Sequence, residues 1–96
     1  MMFARRLRED VVNGRITCSV RIWRRPHVKV GGRYRVGPGA IEVTRLSEIG
    51  FADITPALAR RSGFSGVVDL LKVARHGAGE RVFLVEFVWR PDGPDV

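Results

Sequence analysis

The run Arg81-Val82-Phe83-Leu84-Val85-Glu86-Phe87-Val88-Trp89 limits the folds open to this chain more than any other stretch. Side chains of an extended segment alternate between two faces, so Phe83, Val85, Phe87 and Trp89 point one way and Val82, Leu84 and Val88 the other. A strand that is apolar on both faces belongs in the middle of a covered or closed sheet. Glu86 is its only internal charge, and a carboxylate in that setting calls for a cation from a neighbouring strand.

The other elements must supply that cover. Phe3, Leu7 and Val11 recur every four residues among Arg5, Arg6, Arg8, Glu9 and Asp10, which predicts an amphipathic helix closed by Asn13-Gly14. Residues 17–22 alternate as a half-buried strand, with Cys18, Val20 and Ile22 inward and Thr17, Ser19 and Arg21 outward. Residues 23–27 read as a loop, residues 28–30 as a short strand edge, and residues 33–36 as a strand with Tyr34 and Val36 on one face. A further strand covers residues 40–46, with Ile41 and Val43 inward, and Ile49-Gly50-Phe51 extends it after a kink. Thr55-Pro56 opens a short helix that Gly63 stops. Ser65 caps a second helix running to about Arg75, with Val68, Leu70 and Leu71 as its apolar stripe. His76-Gly77-Ala78-Gly79 is a turn. The expected architecture is a single α+β domain over residues 1–90: a small barrel of five to six strands, a leading helix and two short helices before the last strand. Residues 91–96 form a frayed tail.

Composition narrows the function. The 96 residues are 45% hydrophobic and 28% charged, which suits one folded domain with one core. The single cysteine, Cys18, excludes an intrachain disulfide and reads as a core thiol in a reducing compartment. No apolar run is long enough to span a bilayer and the start lacks a signal-peptide core, so the expectation is a cytoplasmic protein with no membrane partner. His27, His76 and Cys18 are scattered without ligand spacing, so neither a metal nor a cofactor is expected. Residues 1–36 hold ten Lys or Arg against Glu9 and Asp10, while the remainder holds seven against eight acids, so the net charge of +7 belongs to the first third. A cationic cluster of that size attracts polyanions.

The candidate site follows from that asymmetry. Ser19 and Arg21 share one strand face just after the turn that carries Arg15. Arg15, Arg21, Arg24, Arg25 and Arg33 can contact phosphates, while Trp23 and Tyr34 offer faces for base stacking. The plainer reading of the same residues has Trp23 closing the barrel, the arginines as a solvated face, and Arg21 paired internally with Glu42 or Glu86.

The order of these pieces resembles a known family. The leading helix is followed by Gly14-x-Ile16-x-x-Ser19-x-Arg21, Gly31-Gly32, Ile41-Glu42-Val43-Thr44, Phe51-Ala52-Asp53-Ile54-Thr55, Gly63-Phe64-Ser65 and the last strand. That succession is similar to the activating signal cointegrator homology (ASCH) domain. The resemblance implies a PUA-like β-barrel with a cleft for RNA, or single-stranded DNA second. It also implies an alternative, a hydrolase acting on N4-acetylcytidine or a ribonuclease, with Ser19 in place of the family's threonine nucleophile. The family's lysine position is Ile16 here and its glutamate falls near Ser62, so the reading leans away from an enzyme. A hydroxyl needs an adjacent base, and Arg15 is a poor one, which leaves His27 or Glu48 to approach in space. A third reading is an adaptor whose basic face meets an acidic protein.

Overall fold

The computed structural model describes residues 2–75 and 79–91. Its elements in chain order are α1 (Arg5–Val12), β1 (Cys18–Trp23), β2 (Arg33–Val36), β3 (Gly39–Ile49), a 3-10 turn (Phe51–Asp53), α2 (Pro56–Arg61), α3 (Val67–Ala74) and β4 (Arg81–Arg90). The strands form one antiparallel sheet in the order β1-β4-β3-β2. β4 thus takes an inner position: Phe83, Val85 and Phe87 are buried on one face, while on the other Val82 is buried, Leu84 half-buried and Val88 exposed. The sheet curls into a half-barrel, so the α+β class stands, with four strands among the described residues where five to six were expected.

The shorter strand inventory has local causes. Residues 28–30 form no strand, because the Gly32 amide donates to the Lys29 carbonyl and closes a turn there at 3.0 Å. Beyond Ile49 the chain turns at once, with the Gly50 amide donating to the Asp53 carboxylate at 2.8 Å. The kink foreseen near that point lies earlier and is a β-bulge: the β3–β4 register shifts between Val43 and Arg45. Thr44 is the extra residue, and its hydroxyl donates to the Glu86 carbonyl. A bulge bends its strand and increases local twist, which helps the four strands curl.

Register assigns the faces. Ser19 lies opposite Val85 and Arg21 opposite Phe83. Val43 lies opposite Phe87 and Leu46 opposite Val85. These side chains share one face of the sheet, where Phe3 meets Phe87 edge-on at 5.5 Å between ring centres. Cys18, Val20 and Ile22 face the other way. α3 packs beside the edge strand β1, where Arg75, just after it, bridges to Ile22. Leu70 and Ala74 are its buried residues, while Val68 and Leu71 are exposed. The inward stripe is therefore Leu70 and Ala74, one turn apart, with Val67 half-buried beside them.

Helix ends follow the sequence signals. The Thr55 hydroxyl accepts from the Leu58 amide at 3.1 Å and Pro56 occupies the first turn of α2. Gly63 ends it at a φ of +98°, where a Cβ would meet Ile16 and Leu7 side chains at 2.6 and 2.7 Å. Ser65 turns its hydroxyl to the Asp69 carboxylate, leaving Gly66 as the cap residue of α3. Three residues of the expected turn at 76–79, and residues 92–96 of the expected tail, lie outside the described residues.

Candidate functional site

Of the three residues expected to face outward, Thr17, just before β1, is exposed, but Ser19 and Arg21 are not, because all six residues of β1 are buried. The cover comes from residues 2–4, which cross the face of β1 before α1 begins. Arg21 is only 7% exposed. Its Nε donates to the Ser19 hydroxyl at 2.8 Å and its Nη2 to the Met2 carbonyl at 2.6 Å. The guanidinium also lies over the Phe3 ring, 5.1 Å from its centre. Guanidinium faces bind aromatic rings through the ring quadrupole, more strongly where water is excluded. Burial pulls Arg21 down to about 10, so it stays charged at neutral pH.

Beside this pair opens a hollow of about 280 Å³, lined by Ser19, Arg21, Phe3, Phe64, Val73 and Ala74 among others. Its two aromatic walls each carry a cation, since Arg6 stacks on Phe64 at 5.2 Å as Arg21 does on Phe3. A second hollow of about 320 Å³ lies on the other side of residues 2 and 3, lined by Met2, Phe3, Arg8, Arg35, Val36 and Gly37. The first can hold a flat apolar group against one buried cation. The second is rimmed by two exposed cations from different elements.

The remaining residues named from the sequence do not join Ser19 and Arg21. Trp23 is 2% exposed, stacked on His27 at 4.7 Å and tilted against Phe83. It packs in the core, so its ring is closed to a base. Tyr34 is half-buried, and its hydroxyl accepts from the Lys29 amide. Arg15 pairs with Asp10 at 3.6 Å, beyond the C-terminal end of α1. Arg24 and Arg25 follow the far end of β1, exposed. Arg33 sits on β2, three strand spacings of about 4.8 Å away from β1, and pairs with Glu42 at 3.3 Å. Glu42 also meets Arg90 at 3.4 Å, and Glu86 meets Arg45 at 3.7 Å. The cationic third of the sequence is therefore spread over both ends of the sheet.

Nor do the described residues place a base beside Ser19. Ile16 is 4% exposed in the core. Ser62 donates its hydroxyl to the Leu58 and Ala59 carbonyls. Glu48 receives a two-pronged hydrogen bond from Arg81 at 2.8 and 3.1 Å, which holds its carboxyl below the usual range. His27 lies against Trp23. Among the described residues no carboxylate or imidazole lines the hollow. Among the described residues no group of His, Cys, Asp and Glu could hold a metal ion, and no helix is long and apolar enough to cross a membrane.

Comparison with protein-family models, curated proteins and solved structures finds no match. The site therefore stands on its own geometry. Sequence reasoning found its two polar residues, Ser19 and Arg21, and missed Met2, Phe64, Val73, Arg8 and Arg35. The spacing of Phe3 with Leu7 and Val11 signalled an inward face, but not that its ring would meet Arg21. Arg8 and Arg35 come together only because α1 packs against β2, a contact that no local pattern announces.

Proposed function

We propose that this chain is a PUA-like domain of the ASCH type that binds nucleic acid, RNA ahead of single-stranded DNA, at the hollow beside Ser19 and Arg21. The observation that carries this reading is a buried, charged guanidinium placed next to a hydroxyl at the edge of an apolar hollow. A nucleotide offers acceptor oxygens to a guanidinium at the rim of the hollow and a flat face to the walls formed by Phe3 and Phe64. Single-stranded RNA is recognised in just this way, by unstacked bases on aromatic side chains and arginine contacts to acceptors. The Met2 carbonyl already occupies an acceptor position on Arg21, and a phosphate or base oxygen would take its place.

Binding is favoured over hydrolysis by the partner of Ser19. Its hydroxyl accepts from Arg21, and a guanidinium stays protonated and cannot take a proton from it. Fluorescence anisotropy with labelled single-stranded RNA and duplex DNA at several ionic strengths tests the reading. RNA should bind more tightly, with an affinity that falls steeply as salt rises. Arg21→Gln should weaken binding by about 10-fold or more, as loss of a buried charge-assisted hydrogen bond does. Circular dichroism checks that the variant is folded. Salt-independent affinity, or a folded Arg21→Gln variant that binds as the parent does, contradicts the reading. Turnover of N4-acetylcytidine or RNA that Ser19→Ala abolishes would favour the hydrolase instead.

A further inference from the structure

The second hollow has no role in that reading, although it shares Met2 and Phe3 with the first. Arg8 comes to it from α1 and Arg35 from β2. Among the described residues neither guanidinium has an ion-pair partner, whereas Arg15, Arg33, Arg45, Arg81 and Arg90 each meet a carboxylate. Two exposed cations from different elements are thus held at one concavity without an anion between them. The backbone is shaped for this approach: Gly37 adopts a φ of +62°, and a Cβ there would stand 3.2 Å from the Val12 side chain. The β2–β3 turn lies close against α1, which sets Arg35 near Arg8.

We infer that the hollow between Arg8 and Arg35 is a phosphate site, and that it takes a phosphodiester of the single strand whose nucleotide sits at Arg21. A phosphate has several acceptor oxygens and can receive hydrogen bonds from two guanidinium forks at once. A free phosphate shares that chemistry, but a polynucleotide alone can reach both hollows. Their separation by only Met2 and Phe3 makes the second a neighbouring subsite of the first. This inference rests on the nucleic-acid reading for its ligand and on Arg8 and Arg35 for its place.

The test is the salt dependence of binding of a labelled single-stranded oligouridylate to three proteins. They are the parent, an Arg8→Gln/Arg35→Gln variant, and an Arg60→Gln/Lys72→Gln control that removes the same charge from exposed positions on α2 and α3. All four side chains are exposed, so both variants should fold, and thermal unfolding confirms it. The Arg8/Arg35 variant should bind more weakly and show a slope of log affinity against log salt shallower by about 0.7, the value for one single-strand phosphate. The control should lie close to the parent. If the parent binds with a salt slope and the two variants behave alike, the phosphate site is overturned while the nucleic-acid reading stands. If the parent does not bind RNA, that reading fails, and a titration with inorganic phosphate followed by amide chemical shifts then judges the site alone. Shifts at Arg35 and Gly37 that disappear in the Arg8/Arg35 variant support it, and their absence overturns it.

Discussion

Replacing Phe87 by alanine is expected to lower the unfolding free energy by about 3–5 kcal/mol, the range for removing a large aromatic from a packed core. Phe87 is among the largest fully buried side chains. It stands on inner strand β4, opposite Val43 of β3, with its amide bonded to the Thr17 carbonyl and its ring against Phe3. A domain of this size has about 5–15 kcal/mol of stability in all, so the loss is a large share of it. At roughly 4–8 °C per kcal/mol the midpoint should fall by more than ten degrees. The substitution also removes the seat of Phe3, and with it the support that keeps residues 2–4 over Arg21. Phe51→Ala is the matched control. Its ring is 53% exposed, and a surface change of this kind stays within about 0.5 kcal/mol. Urea unfolding of both variants checks the pair, and equal losses would contradict the packing described above.

Cys18 provides the second large effect. The thiol is 1% exposed, and burial pushes it above its ordinary value, with Glu86 adding to the rise and Arg61 opposing it. Only the thiolate reacts with disulfide reagents. Modification in the native state must therefore wait for an opening of β1. Openings of core strands approach the global unfolding free energy, so the rate should be on the order of 10³-fold or more below that of the unfolded chain. The same shift makes stability depend on pH with a definite sign. Above the thiol's ordinary value of 9.0 the unfolded chain loses a proton that the folded chain keeps. The contribution is complete below that pH and declines above it, at about 1.4 kcal/mol per unit until the native thiol ionises. Cys18→Ala should remove this decline. Rapid labelling of the native protein would contradict the burial of β1.

The fold was readable where a local rule and the tertiary structure agree. β4 was legible because only an inner strand can hide Phe83 and Val85 on one face and Val82 on the other. α2 was legible from the Thr55 cap, Pro56 and Gly63. α3 was legible in place but not in orientation, since Val68, Leu70 and Leu71 are equally apolar and only packing against β1 selects Leu70. The candidate site was half legible. Alternation correctly placed Ser19 and Arg21 side by side on one face, but it assumed that the face opposite Cys18 meets water. What covers that face is residues 2–4, whose path depends on where α1 docks. Trp23 shows the same limit: tryptophan beside two arginines suits a stacking surface or a barrel plug, and the contacts with Phe83 and His27 put it in the core.

The claim on which the functional account rests is that the Ser19–Arg21 hollow receives the nucleotide. Amide chemical-shift mapping of the labelled protein against a short single-stranded RNA tests it most directly. The account predicts shifts concentrated at Phe3, Ser19, Arg21, Phe64, Val73 and Ala74, residues that line the hollow. Shifts confined to the loop at Arg24 and Arg25 and to the outer strand at Arg33, or no shifts at saturating RNA, would contradict it.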